Sequence, residues 1–462
     1  MIQSTRLARL NEKPIGKGRY VLYWMQASQR TRFNHALEYA IRRGNELGLP
    51  VVVGFGLMDG YPEANLRHYA FMVQGLADVA QGLESRGIAL VVRHGNPARV
   101  AIDLGRDAAE VVCDRGYLRH QRTWRDELAD ASPVRVTQVE SDVVVPVEQA
   151  SDKAEYAART IRPKITRLLG DYLHELHEER SKRSSLELKL PNDLDVRDVE
   201  GTLGQLNLDR SVPPSRRLLG GEREAQRRLK HFIQRGLTGY DEARNEPSAS
   251  ATSMLSAYLH FGQVSPLQVV LGAQAAGAPT ADTDALVEQL VIRRELAINY
   301  VFHTPGYDTF DALPTWAQRT LKQSGGDKRE FTYTRQELEQ ARTHDPWWNA
   351  AMREMSVSGY MHNYMRMYWG KKVLEWKADP REAFTDLLYL DNRYFLDGRD
   401  ANGYTGVAWC FGLHDRPWTH RPIFGNVRYM NAAGLARKFD MEAYVRMVDA
   451  LAEDRQGHDD PQ

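Results

Sequence analysis

RYVLYWMQASQRTRFNHALEYAIRRGNELGLPVVVGFGLM (19–58) decides the fold class of this chain. It opens on an apolar run, RYVLYWM (19–25), and passes through HALEYAIRRGNELG (35–48), whose apolar residues recur at helical spacing. It closes on a second apolar run, PVVVGFGLM (50–58). Near-continuous β-branched and aromatic runs separated by an amphipathic helix mark parallel strands buried on both faces, because each crossover lays a helix over the sheet. The rhythm continues outward: HYAFMVQGLADVAQGLESRG (68–87) predicts a helix, and IALVVRHG (88–95), AAEVVCD (108–114) and SPVRVTQVE (132–140) predict strands. Residues 1–175 are therefore expected to form a doubly wound α/β domain, a class that holds ligands beyond the carboxyl ends of its strands. No G-x-G-x-x-G follows the first strand and no G-x-x-x-x-G-K-[ST] occurs, so neither dinucleotide-loop nor P-loop chemistry is written here.

With 462 residues the chain exceeds the roughly 250–300 at which a single core stops growing, so a second domain is expected. It is 42% hydrophobic and 26% charged with a mean hydropathy of −0.53, ordinary globular usage. Lys+Arg and Asp+Glu balance at 61 each, so any nucleic-acid binding must come from a local cationic surface. Cys113 and Cys410 lie far apart in apolar surroundings, which supports neither a disulfide framework nor a Cys-based zinc site; no metal is expected. The N-terminus has no apolar signal region and no stretch reaches the roughly 18 apolar residues of a membrane span, so a cytoplasmic protein is expected. Residues 176–215 are polar and irregular, carry Pro213–Pro214, and are expected to link the domains. Helical periodicity then dominates in 220–237, 265–277, 281–303, 335–344, 347–377 and 381–395, so 216–455 is expected to be all-helical, followed by a polar tail, 456–462.

Four constellations in the helical half could carry chemistry. Seven of the nine tryptophans fall there; Trp369 and Trp376 stand two turns apart, a rise of roughly 10 Å, which suits electron hopping but equally suits core packing. DGRDANGYTGVAW (397–409) and GLHDRPWTHRPIFGNVRYMN (412–431) are rich in Gly, Asp, Asn and Arg and are expected to be loops fit for a polar cofactor. Arg416, Arg421, Arg428 and Arg437 alternate with Trp418, Phe424 and Tyr429 as in surfaces that contact phosphates and bases, although a solvated loop face would look alike. In 240–266, Tyr240, Arg244 and a Ser/Thr cluster precede a helix, suited to a phosphate or to capping by Ser253 or Ser256. Glu295, inside the apolar VIRRELAINY (291–300), is either a buried proton donor or acceptor or a partner of Arg293 or Arg294.

Together these segments resemble the class II cyclobutane-dimer photolyases of the photolyase/cryptochrome family. LSAYLHFGQVSP, RRELAINY, HDPWWNAA, YMRMYWGKKVLEW, LDGRDANGYTGVAW, GLHDRPW and VRYMN follow the family's order, and VLYWMQASQRTRFNHALEYAI resembles its N-terminal part, from about Arg19 to Tyr444. The resemblance implies an antenna-type α/β domain joined by a long linker to a helical domain that holds FAD. The partner it implies is DNA containing a cyclobutane pyrimidine dimer, which must be flipped out of the stack to reach the flavin. Light-excited reduced flavin would donate an electron, both cyclobutane bonds would break, and the electron would return. A monomer is the default.

Residue by residue, the resemblance assigns Tyr240, Arg244, Thr252, Ser253, Leu255 and Ser256 to the FAD phosphates and ribityl chain, and Asp397, Arg399 and Asp400 to the isoalloxazine. Glu295 matches the carboxylate that hydrogen-bonds the dimer, Met367 and Trp409 match apolar walls, and Asn299 is added to the cavity. Arg416 and Arg428 match residues near the lesion and its backbone, and Trp369, Trp376 and Trp348 match the electron-transfer chain, with Trp369 nearest the flavin. Two departures stand out. Where the family places Asn opposite flavin N5, this chain reads Leu390-Asp391-Asn392, so either Asp391 or Asn392 would face N5. At CDRGYLRHQRTWRDELA (113–129), relatives more often read Asp-Phe-Ser-Pro-Leu-Arg, which leaves open whether the chain carries a deazaflavin-type antenna, another, or none. The rival readings are a cryptochrome-like photoreceptor, a (6-4) photolyase and an inactive flavin-binding homologue.

Overall fold

A computed structural model describes residues 2–249 and 251–456. Its sheet has six strands, β1 (Leu7–Arg9), β2 (Tyr20–Trp24), β3 (Val51–Leu57), β4 (Ala89–His94), β5 (Ala108–Asp114) and β6 (Val136–Val139), in the order β1-β6-β5-β2-β3-β4. All pairs are parallel except β1 with β6. Alternation along β2 shows why the apolar runs are continuous: Val21 and Tyr23 enter one core while Tyr20, Leu22 and Trp24 enter another on the opposite face. Helices His35–Leu47, Leu66–Ser85, Pro97–Gly105 and Arg119–Ala131 cover the two faces. Asn34 and Asn96 begin two of them by accepting the backbone N–H of Leu37 and of Ala98. The antiparallel edge strand β1 is an addition to the expected sheet.

The second half is helical, as its periodicity predicts, with three differences. The run 347–377 is two helices, Pro346–Ser358 and Asn363–Trp376, because Gly359 turns left-handed at φ 75° and ends the first. The segment 281–303 passes through a π-helical turn, Glu288–Arg293. The expected loop 397–409 is a helix from Ala401, Ala401–Cys410, started by Asp400 accepting the N–H of Asn402. Its Gly403 serves packing: a Cβ there would lie 2.7 Å from an Asp391 oxygen.

The packing of the two halves departs from the expected division. Val144, Val145 and the helix Ala158–Tyr172, inside the stretch assigned to the α/β domain, bury Ile161, Ile165 and Tyr172 against Leu229, Phe232 and Leu290 of the helical half. The expected linker returns to the sheet edge, where Ser185 N–H donates to Gly87 O, Asp193 N–H to Val92 O, and Val92 N–H to the Asn192 side chain. The open edge of β4 is thereby covered. The last helix, Met441–Gln456, takes in the first residue of the expected tail; 457–462 lie outside the described residues. Among the described residues no helix is long and apolar enough to cross a membrane.

Candidate functional site

An open cavity lies within the helical half. Tyr240, Arg244, Thr252, Ser253, Leu255 and Ser256 form one side, and Arg366, Asp397 and Asp400 the other. Arg366 donates from one guanidinium nitrogen to both Asp397 oxygens, at 2.7 and 3.0 Å, and lies 3.7 Å over the Phe395 ring. Behind this pair Asp391 is 5% exposed, and its Oδ2 is buried with no hydrogen-bond partner. Burial pushes its carboxyl up to about 7, outweighing the pull of Arg366, while Asp397 and Asp400 push the same way. Asn392 points elsewhere, donating to Glu63 at 2.5 Å and accepting the N–H of Arg399 at 2.8 Å.

Three indoles run away from this cavity. Trp369 is 6.1 Å from Phe395 and stacks on Trp348 at 6.4 Å with planes 17° apart; Trp348 meets Trp376 at 5.2 Å. Trp348 Nε1–H donates to the Trp369 carbonyl at 3.0 Å, and Asp345 caps the Trp348 helix by accepting its N–H. Trp348 therefore bridges the two residues whose spacing alone was legible. Tyr333, which no sequence pattern singled out, extends the series: its ring lies 5.0 Å from Trp376 and its hydroxyl 2.7 Å from His344 Nδ1. All three indoles are at most 2% exposed.

Beyond the cavity, Arg293 stands 5.5 Å over Trp409, and Trp409 meets His414 at 5.7 Å. His414 begins the loop that presents Arg416 and Arg428, both exposed. Met367 is half-buried against the aromatic core.

With the geometry in place, relatives give the family. A model described as DNA photolyase matches residues 21–181. The deoxyribodipyrimidine photo-lyase of Methanothermobacter thermautotrophicus is 47% identical over 98% of this chain and 100% of its own length. The chain belongs to the DNA photolyase family. Relatives with the same description in Arabidopsis thaliana (36% identical, covering 93% of this chain and 89% of the relative) and Potorous tridactylus (38%, covering 92% and 81%) are similar across most of both chains. A bacterial class III photolyase from Agrobacterium tumefaciens superposes with a TM-score of 0.71 at 21% identity, covering 94% of this chain and 87% of that one, and so shares the fold.

Against the family expectations, three residues sit elsewhere. Glu295 does not line the cavity. Its carboxylate accepts the N–H of Val144 at 2.6 Å and of Val145 at 3.3 Å, pinning the segment that joins the halves. Asn299, fully buried, accepts the N–H of Glu155 and donates to the Lys153 carbonyl, so both ends of its amide hold the chain together. Arg399, at φ 57°, turns from the cavity to a second one, with its guanidinium on the Asn392 carbonyl. Removing the Glu295 carboxylate should therefore cost folding rather than chemistry. Glu295→Ala should lose about 2–4 kcal/mol in urea unfolding by orphaning two N–H groups. Burial raises the Glu295 pKa to about 8, against the pull of the Val144 N–H and Arg294. A folded-state pKa above the unfolded one means this part of the stability is present in acid and fades as pH rises toward 8, and Glu295→Gln should flatten that slope.

The second cavity lies at the carboxyl ends of the strands, as the sheet class predicts, lined by Met25 and Gln26 after β2, Phe55 and Leu57 of β3, and Tyr117, Gln121 and Trp124 after β5. Leu259, His260, Arg294 and Asp400 line both cavities, so one wall separates them. The Gln26 and Gln29 side-chain oxygens here are buried without partners.

Proposed function

We propose that this chain is a light-driven carbon–carbon lyase, of the class II kind, that splits cyclobutane pyrimidine dimers in DNA using FAD. The observation that carries the reading is the continuity of parts: a cavity lined by Arg366, which lies over Phe395, and, packed on Phe395 in turn, the inner end of a buried three-tryptophan series. The residues present fit FAD. Arg244 Nε, on the cavity wall, and Asp391 Oδ2 and Trp369 Nε1 are buried polar atoms without hydrogen-bond partners. Reduced FAD, when excited by light, supplies the electron that opens the cyclobutane ring.

Tyr240, Arg244, Thr252, Ser253, Leu255 and Ser256 hold the phosphates and ribityl chain, and the Arg366–Asp397 pair with Asp400 orients the ring system. Asp391, rather than the committed Asn392, faces N5 and holds a proton there. Asp391→Asn should change the absorption spectrum of the partly photoreduced protein; an unchanged spectrum would remove Asp391 from N5. Trp369, Trp348 and Trp376, with Tyr333 outermost, carry electrons inward to restore the reduced cofactor. Met367 and Trp409 wall the dimer, and Arg416 and Arg428 grip the DNA backbone. The second cavity suits a flat antenna of the deazaflavin type, whose donors would meet Gln26 and Gln29 and whose acidic group would meet Arg399.

The histidines lining the flavin cavity are bonded within the chain, His260 to Asp400 and His362 to the Arg244 carbonyl and the Tyr364 N–H. His414, packed on Trp409, instead keeps its Nε2 without a hydrogen-bond partner. The cyclobutane reading therefore rests on the resemblance of the cavity motifs, and a (6-4) reading would use His414. The test is photoreactivation. FAD-loaded, chemically reduced protein should restore the thymine absorbance of an oligonucleotide carrying one cyclobutane dimer under blue light and not in darkness. Equal recovery in both, or none, would contradict the reading.

A further inference from the structure

The outer end of the tryptophan series closes on a pair of side chains, one of which the relay alone leaves without a task. Tyr333 stands just before the short helix Arg335–Glu339 and His344 just before Pro346–Ser358, so the turn between two helices brings the pair together. The Tyr333 hydroxyl lies 2.7 Å from His344 Nδ1 and also accepts the backbone N–H of His344 at 2.9 Å. With that N–H on one oxygen lone pair, the phenolic proton is left to lie on the line to Nδ1. Nδ1 is then the acceptor, and the ring hydrogen sits on Nε2. Tyr333 is half-buried, whereas His344 is exposed and can pass a proton on to solvent.

The imidazole is held in place before any charge arrives. Thr343 donates its hydroxyl at 2.8 Å and its N–H at 3.1 Å to the Asn349 side chain, and Asn349 donates back to the Thr343 carbonyl at 2.8 Å. On the other side of His344, the Asp345 carboxylate caps the helix that carries Trp348. The ring itself stacks on Phe331, with centroids 3.6 Å apart and planes 17° from parallel. Trp376 meets both members of the pair, Tyr333 at 5.0 Å and His344 at 5.6 Å. Its surroundings disfavour a positive hole that stays there. The Lys372 ammonium stands 5.3 Å over the Trp376 ring, offset in part by Glu375 at 2.8 Å from that ammonium. Trp376 Nε1 is buried with no hydrogen-bond partner among the described residues. Like charges at this range repel, whereas a neutral radical beside the same ammonium is spared that cost.

We propose that His344 is the base that takes the phenolic proton as Tyr333 is oxidised, which makes Tyr333 the terminal carrier of the hole. The inference rests on the relay in the repair reading above and goes beyond it by assigning the proton acceptor. The oxidant is light-excited oxidised FAD acting through Trp369 and Trp348, which leaves a radical cation on Trp376. Tyr333 then gives one electron to Trp376 and its phenolic proton to His344 Nδ1. The O–H bond breaks, an N–H bond forms, Trp376 regains its ground state, and a neutral tyrosyl radical stands beside an imidazolium. A base already in hydrogen-bond contact removes the proton as the electron leaves, so no phenol radical cation has to form. Recombination must then bring back both the electron and the proton.

The test follows oxidised, FAD-loaded protein after a light flash, with the neutral tyrosyl radical read by electron paramagnetic resonance and by its transient absorption. The wild-type protein should form that radical, more slowly in heavy water, and Tyr333→Phe should not form it. In His344→Asn the amide Oδ1 takes the place of Nδ1 as a hydrogen-bond acceptor but is no base, so tyrosyl formation should slow by roughly 10²-fold or more. His344→Ala should slow it to the same extent and recover most of the rate when free imidazole is added. Tyrosyl formation at the wild-type rate in His344→Asn would overturn the assignment while leaving the repair reading intact. So would a wild-type protein that photoreduces its flavin, keeps an indole radical and never shows a tyrosyl one. A wild-type protein whose bound FAD is not photoreduced at all would remove the relay itself, and the pair with it.

Discussion

Replacing Trp369 by Phe should slow photoreduction of the oxidised, FAD-loaded protein by more than an order of magnitude, yet leave repair by chemically reduced protein largely intact. Phenylalanine fills most of the indole volume but cannot surrender an electron under the same conditions, so the inner link of the series is cut with only a small cavity left behind. Trp348 touches both Trp369 at 6.4 Å and Trp376 at 5.2 Å, and among the described residues no other indole contact bridges that pair, so Trp348→Phe should slow photoreduction comparably. Tyr333→Phe, at the outer end, should leave the first steps unchanged and shorten the lifetime of the separated charge. Equal loss of photoreduction and repair in Trp369→Phe would show that the residue supports the cofactor site and not the relay.

Asp397→Ala should be the most damaging single change in the cavity. Arg366 would keep its place over Phe395 with its one carboxylate partner gone, and stranding a largely buried guanidinium costs on the order of 3 kcal/mol. Burial and Asp397 act on Arg366 in opposite senses, and Asp397 with Asp391 wins, holding the guanidinium pKa above its ordinary value. The purified variant should therefore carry little FAD and unfold at lower urea. A variant with full FAD content and an unchanged midpoint would mean that the ion pair does not organise the site.

The α/β half was legible because burial on both faces writes itself as continuous apolar runs, and the helices between them keep their period. The strand β1 escaped because three residues, Leu7–Arg9, carry no period of their own; their place comes from pairing with β6. The helix Ala401–Cys410 escaped because Gly403 and Gly406 lower helix propensity, and only the packing shows that Gly403 also permits the close approach of Asp391.

Within the site, the residues contributed by one continuous stretch, 240–256, fall together as expected. The assignments that do not line that cavity, Glu295, Asn299 and Arg399, are decided by distant segments: Glu295 and Asn299 meet residues about 150 positions earlier in the chain, and Arg399 meets His68. A carboxylate in an apolar helix announces that it needs a partner, but not whether that partner is a substrate or two backbone N–H groups. Tyr333 left no local trace because its neighbour Trp376 is supplied by another segment.

The most direct test of the account presents chemically reduced, FAD-loaded protein with two duplexes under the same illumination, one containing a cyclobutane thymine dimer and the other a (6-4) photoproduct. The account predicts that intact thymines return from the cyclobutane duplex alone and only in the light. Restoration of the (6-4) duplex alone, or of neither by a protein that holds its flavin, would contradict it.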